Sequence, residues 1–195
     1  MKNTRNLVMY ACLTAIIVLM GFTPLGYLKV GFVEITFITI PVIIGAILLG
    51  KGAGAFLGGI FGLTSYAQCF GMSAFGAALL AVNPISMLIL CVGPRILMGF
   101  LCGLVFEKIT NRSRFIAASL TGAISNTVLF TATMLLLFRN SEYISGMIST
   151  VGGNNLLRFV VAFVGINGLI EAFVCAIVGT AVSLALFKFA EKRNN

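Results

Sequence analysis

Seven polar side chains stand in stretches that are otherwise almost wholly apolar: Tyr66, Gln68, Asn83, Arg95, Asn126, Asn167 and Glu171. An ionisable group at bilayer depth costs at least about 2.5–3.5 kcal/mol, so it is a functional candidate by default. Arg95 follows Pro94, and proline favours the first turn of a helix, which predicts a helix beginning at Pro94. A guanidinium beside free N–H groups at a helix start suits a carboxylate or a phosphate. Glu171 lies four residues after Asn167, which places both on one helix face. It has three readings: a partner for a ligand amine or hydroxyl, the counter-ion of Arg95, or a protonated acid. Thr64 and Gln68 share a second face, and Ser125 and Asn126 stand near the middle of another span. These amides and hydroxyls serve either as glue between helices or as the wall of a polar pocket. Their spread over several spans favours a pocket opening to the outer side. Arg158, Asn154 and Asn155 stand where they would close it.

The residue types that are missing exclude much chemistry. There is no His and no Asp, and the five acids are all Glu. No Ser-His-Asp or Cys-His arrangement can be built, and no His is present to ligate a metal. The five cysteines, Cys12, Cys69, Cys91, Cys102 and Cys175, form no CxxC pair and read as small buried hydrophobes. A GxxxxGK[ST] phosphate loop is absent. The chain is therefore expected not to be an enzyme, and to carry neither cofactor nor metal.

The elements that hold these residues follow from composition. Hydrophobic residues make up 59% of the 195 residues and charged residues 9%, against about 25% charged in soluble domains. Residues 1–195 read as one all-α, polytopic membrane domain with six transmembrane helices and a ligand pocket on the outer side. Expected spans are 7–22, 37–50, 53–70, a fourth ending at 106, 115–138, and a last within 156–189. Residues 30–36 look extended, Lys51-Gly52 reads as a tight turn, and 71–92 as a re-entrant or partly helical loop. The net charge of +8 reads as topology rather than nucleic-acid binding. With six crossings and the N-terminus inside, Lys2, Arg5, Lys51, Lys108, Arg112, Arg114, Lys188, Lys192 and Arg193 fall inside. Only Lys29, Arg139 and Arg158 fall outside. Both termini are expected in the cytoplasm of a cell-membrane protein.

Small residues recur every fourth position: Ala11 and Ala15, then Gly54, Gly58 and Gly62, then Gly99 and Gly103. Such spacing lets helices approach closely. The glycines are expected to pack within the chain. Ala11 and Ala15 serve either that purpose or a partner helix.

On these features the chain resembles the S component, the substrate-binding subunit, of energy-coupling factor (ECF) vitamin transporters. The likeness covers nearly the whole chain. It rests on length and helix count, on Ala11-Cys12-Leu13-Thr14-Ala15, and on the run Ile40-Pro41 to Gly50 followed by a glycine-rich helix. Gly26-Tyr27-Leu28-Lys29-Val30, Ile35-Thr36 and Phe61-Gly62-Leu63-Thr64-Ser65 look most like the pantothenate type. The resemblance implies capture of a small vitamin, then toppling in the bilayer on docking to a membrane coupling (T) subunit that carries two ATPase subunits. Ala11 and Ala15 take the docking role by that resemblance. Arg95 would hold the vitamin's carboxylate, and Asn126, Asn83 and Gln68 its hydroxyl and amide groups. A riboflavin, folate or lipoate S component, or a membrane assembly protein, is the alternative.

Overall fold

The structure is a computed structural model that describes residues 2–30, 33–152 and 155–192. Helix α1 (Lys2–Phe22) leads into an antiparallel hairpin, β1 (Tyr27–Val30) and β2 (Val33–Thr36), in register from Tyr27 opposite Thr36 to Val30 opposite Val33. Helices α2 (Thr39–Leu49) and α3 (Lys51–Gln68) follow, then short α4 (Ala74–Val82) and long α5 (Pro84–Lys108). After them come α6 (Arg114–Phe138), α7 (Glu142–Gly152), α8 (Leu156–Val174) and α9 (Thr180–Lys192). A π-helical turn, Cys175–Gly179, joins the last two without a break.

Among the described residues, four helical stretches are long and apolar enough to cross a membrane: Thr4–Phe22, Pro84–Lys108, Arg114–Phe138 and Gly168–Phe187. The other two expected spans fall short for identifiable reasons. Helix α3 has 18 residues, but glycines and polar side chains dilute its apolar character. Helix α2 has 11 residues, about 16 Å, half a hydrocarbon core. The chain reaches α2 through the hairpin, so its first turn begins well inside the fold. Thr39 is fully buried there, 3.4 Å from the Cys175 sulfur.

The α3–α5 pair is the tightest seam. A Cβ on Gly54 would stand 2.2 Å from the Gly99 carbonyl oxygen, and one on Gly99 2.0 Å from that of Gly54. A Cβ on Gly58 would stand 2.1 Å from the carbonyl oxygen of Arg95, and one on Gly103 2.4 Å from Lys51 Cα. The expected packing of the glycines within the chain is thus what the structure has. At one end of the seam Lys51 Nζ meets Glu107 Oε2 at 2.9 Å, and the Lys51 N–H donates to Glu107 Oε1. The same end holds Arg114, whose guanidinium lies 4.6, 5.3 and 5.0 Å from the rings of Phe106, Phe115 and Phe187. The α5–α6 loop and α9 therefore share one end of the bundle.

Two expectations are corrected and one is sharpened. Pro94 does not start a helix: it lies within α5, whose N1 proline is Pro84. The partly helical reading of 71–92 agrees with α4 and the first turns of α5, with Ser73 and Asn83 as their caps. The break before α3 falls at Gly50, which has φ +93°, rather than at Lys51-Gly52, because only glycine takes that backbone region without strain. The extended reading of 30–36 agrees with β2.

A bulky residue in the seam must push two backbones apart, and overpacking of this kind costs about 1–3 kcal/mol. Gly54→Val is expected to melt well below the parent in detergent. Gly52→Ala, where an added Cβ meets nothing within 4 Å, is the control. Equal melting of the two variants would mean that α3 and α5 do not meet along this line.

Candidate functional site

Three large polar side chains are buried on three different helices. Arg95 on α5, Asn126 on α6 and Glu171 on α8 are 9%, 5% and 6% exposed. Counting from the helix end opposite the Lys51–Glu107 pair, they lie about 16, 18 and 22 Å down at 1.5 Å per residue. They therefore occupy one level near the middle of the bundle.

Glu171 is held by its neighbours and not by a cation. Its Oε1 accepts from Asn126 Nδ2 at 2.9 Å and its Oε2 from the Thr127 hydroxyl at 3.2 Å. The Thr39 hydroxyl, at the start of α2, also lies against this carboxyl. Arg95 and Glu171 form no ion pair with each other; they interact only through space. Of the three readings of Glu171, the counter-ion reading is the one the geometry leaves without a contact.

Arg95 is held in a different way. Its Nη1 donates to the Leu90 carbonyl at 2.9 Å. The guanidinium carbon stands 4.5 Å from the centre of the Phe130 ring on α6 and 5.4 Å from that of Phe61 on α3, distances at which cation–π attraction acts. Phe130 is four residues after Asn126, so the two share a face of α6. That face brings the guanidinium within about a helical turn of Asn126. Two buried polar atoms at this level have no hydrogen-bond partner among the described residues: Arg95 Nε, a donor, and Asn126 Oδ1, an acceptor. Buried polar groups are rarely left so. Between α5 and α6 the structure thus holds a cation with a free donor and, about a helical turn away, a free amide oxygen, groups that would complement an anionic ligand carrying a hydroxyl or N–H.

The other candidates stand higher, near the far ends of their helices. Gln68 is buried at the last turn of α3, where its Nε2 donates to the Gly21 carbonyl of α1. It therefore joins helices. Tyr66 is half-buried, edge-on to Phe70 at 5.4 Å. Asn83 is exposed and caps α5: its Oδ1 accepts from the N–H groups of Ile85 and Ser86, both at 3.0 Å. Arg158 is exposed at the start of α8. Asn167 lies on α8, with its side chain outside the described residues, as is Asn154. Ala11 and Ala15 are exposed on α1 and line an apolar groove of about 700 Å³ with Leu7, Tyr10, Thr14, Val18, Leu19 and Phe56. Thr127, Thr39, Phe61 and Phe130 were not singled out from sequence. The one available signal was spacing, with Thr127 next to Asn126 and Phe130 one turn beyond it.

Membrane-length apolar helices, buried polar side chains on three of the helices and an alanine-floored groove on the first are features that a membrane receptor for a small ligand would need. The chain belongs to the family described as ECF transporter, substrate-specific component, whose model matches residues 5–183. It is similar to the pantothenate transporter PanT of Leuconostoc mesenteroides, with 29% identity over 98% of this chain and 96% of the relative. It is also similar to the pantothenic acid transporter PanT of Lactococcus lactis subsp. cremoris, with 32% identity over 78% of this chain and 76% of that protein.

The Asn126–Glu171 contact is open to a direct check. Asn126→Ala removes one donor from a buried carboxyl, which is expected to cost about 1–3 kcal/mol. The double variant with Glu171→Ala should lose less than the sum of the single losses, since the buried carboxyl is then gone. Additive losses in thermal unfolding would show that the two side chains do not act as a pair.

Proposed function

We propose that this chain captures pantothenate from outside the cell as the S component of an ECF uptake transporter. The observation that carries the reading is the pair of unpartnered buried atoms, Arg95 Nε and Asn126 Oδ1, at one level between α5 and α6. Pantothenate carries a carboxylate, an amide and two hydroxyls. A guanidinium grips a carboxylate with two parallel hydrogen bonds, and Asn126 Oδ1 accepts from a hydroxyl or the amide N–H. Family membership and the names of the two relatives support the same ligand. A site of several fixed polar groups rejects analogues that leave one of them unpaired. Glu171, with Asn126 and Thr127, forms the floor. Asn167, one turn above Glu171, extends the same helix face, while Gln68, Tyr66 and Asn83 stand towards the mouth.

In this reading the chain crosses the bilayer six times, with α2 and α3 as the two short crossings. Both ends of the chain face the cytoplasm, on the side rich in Lys and Arg, and the pocket opens outward. The partners are a T subunit and two ATPase subunits, which supply the energy that a chain without a phosphate loop does not. The groove floored by Ala11 and Ala15 suits a helix of the T subunit, because small side chains admit a close approach.

Titration calorimetry on the detergent-purified chain tests the site. Arg95→Ala is expected to weaken pantothenate binding by at least about 100-fold, the equivalent of one lost charge-assisted pair, while the protein stays folded. Undiminished binding would remove Arg95 from the site. Tighter binding of another vitamin in the same panel would reassign the substrate. Ala15→Trp on the exposed face of α1 should leave binding unchanged and stop ATP-dependent uptake in vesicles holding the whole transporter. Continued uptake by this variant, and by Ala11→Trp, would place the docking face elsewhere.

A further inference from the structure

Within an α-helix each carbonyl accepts from the N–H four residues later. The carbonyl of Leu90 would therefore bond the N–H of residue 94, but residue 94 is proline and has none. Leu90 is fully buried, so no water reaches that oxygen. The group that fills the vacancy is the next side chain along: Arg95 Nη1 donates to Leu90 O at 2.9 Å. Proline has thus made a buried acceptor, and the arginine beside it is bound to that acceptor.

From this we infer that Pro94 is the positioning residue for Arg95, acting through the Leu90 carbonyl. The inference rests on the reading that Arg95 receives the ligand's carboxylate. The bond draws the guanidinium back along α5 towards the end where the pocket opens, the direction in which helical side chains lean. Phe130 and Phe61 lie against its faces. With Nη1 engaged and Nε unpartnered, the edge left for a ligand is the one formed by Nε and Nη2. That edge presents two parallel N–H donors, which is the geometry a carboxylate needs. An arginine free to rotate would offer the same atoms but would lose side-chain entropy on each binding event. Fixing it beforehand removes that cost from the affinity.

Pro94→Ala tests this with an unusual signature. Alanine restores the missing N–H, and the helix interior favours it over proline. The variant should melt at or above the parent temperature, yet bind pantothenate roughly ten-fold more weakly, about one neutral hydrogen bond's worth. The primary-alcohol analogue of pantothenate, which lacks the carboxylate, should change less than about two-fold by the same reasoning. In an Arg95→Ala background, Pro94→Ala should leave binding of that analogue unaltered, because the residue it acts through is gone. Pro94→Val, nearer proline in size, repeats the test if the alanine variant misfolds. Equal loss for both ligands would mean that Pro94 shapes the pocket and does not aim the guanidinium. No loss for either would overturn the inference outright. In both cases Arg95→Ala would still abolish the preference for the carboxylate, leaving the proposed function intact. If Arg95→Ala keeps that preference, it is the proposed function that fails.

Discussion

Hydrocarbon offers a polar atom no hydrogen bond, so every donor and acceptor within the bundle must find its partner in the protein. The rest of this structure follows from that constraint. It makes the chain helical wherever it crosses. It accounts for the hairpin, whose strands pair their backbone groups with each other while the Phe37 N–H closes onto Gly26 O at 2.9 Å. It also explains how the mid-depth hydroxyls are used: Thr64 donates to Phe61 O at 2.8 Å and Ser125 to Gly122 O at 3.2 Å. A donor on Arg95 and an acceptor on Asn126 left open, together with the Ser183 hydroxyl of α9, stand out against this rule.

The glycine seam and the buried polar cluster are two sides of one arrangement. Because Gly58 brings α3 onto the backbone of Arg95 itself, α5 is fixed in depth at the residue that carries the charge. Phe61, one turn along α3, then falls under the guanidinium. On the other side Phe130 of α6 closes over it, and Asn126 one turn away reaches α8 through Glu171. Packing with no room for a methyl thus becomes a constraint on where a cation stands. Looser helices would bury as much apolar area without fixing that position.

Much of this was legible in the sequence, and what was not has physical causes. The helices follow from apolar runs, and the mid-depth polar residues are conspicuous because the bilayer makes them costly. The glycine spacing announced its own seam. Pro94 misled because proline's preference for a helix start is a statement about backbone N–H groups. It does not include a neighbouring arginine that satisfies the freed carbonyl from the side. Asn83 carried the signature of a cap, an Asn directly before a proline at N1, yet its amide invited a ligand reading. Gln68 shows the same ambiguity: an amide at a span's end bonds a neighbouring helix as readily as a ligand. No local pattern distinguishes the two, because the choice depends on what the opposite helix presents, here a bare carbonyl at Gly21.

The separation of Arg95 from Glu171 deserves a physical reason. Arg95 and an ionised Glu171 would gain strongly by meeting in a low dielectric, and a bundle built for stability alone would join them. Here the carboxyl is turned to an amide and a hydroxyl, while the guanidinium is turned to a carbonyl and two rings. Each is solvated by dipoles rather than cancelled by the other. A carbonyl and aromatic faces stabilise a cation without cancelling it with an acid, as the proposed function requires of Arg95. On the proposed function, an incoming carboxylate would have no ion pair to break. Had Arg95 and Glu171 been paired, the ligand would have had to displace a carboxylate with a carboxylate, an exchange with little net gain. Holding the acid one contact away, behind Asn126, would keep the binding energy of such an anion available.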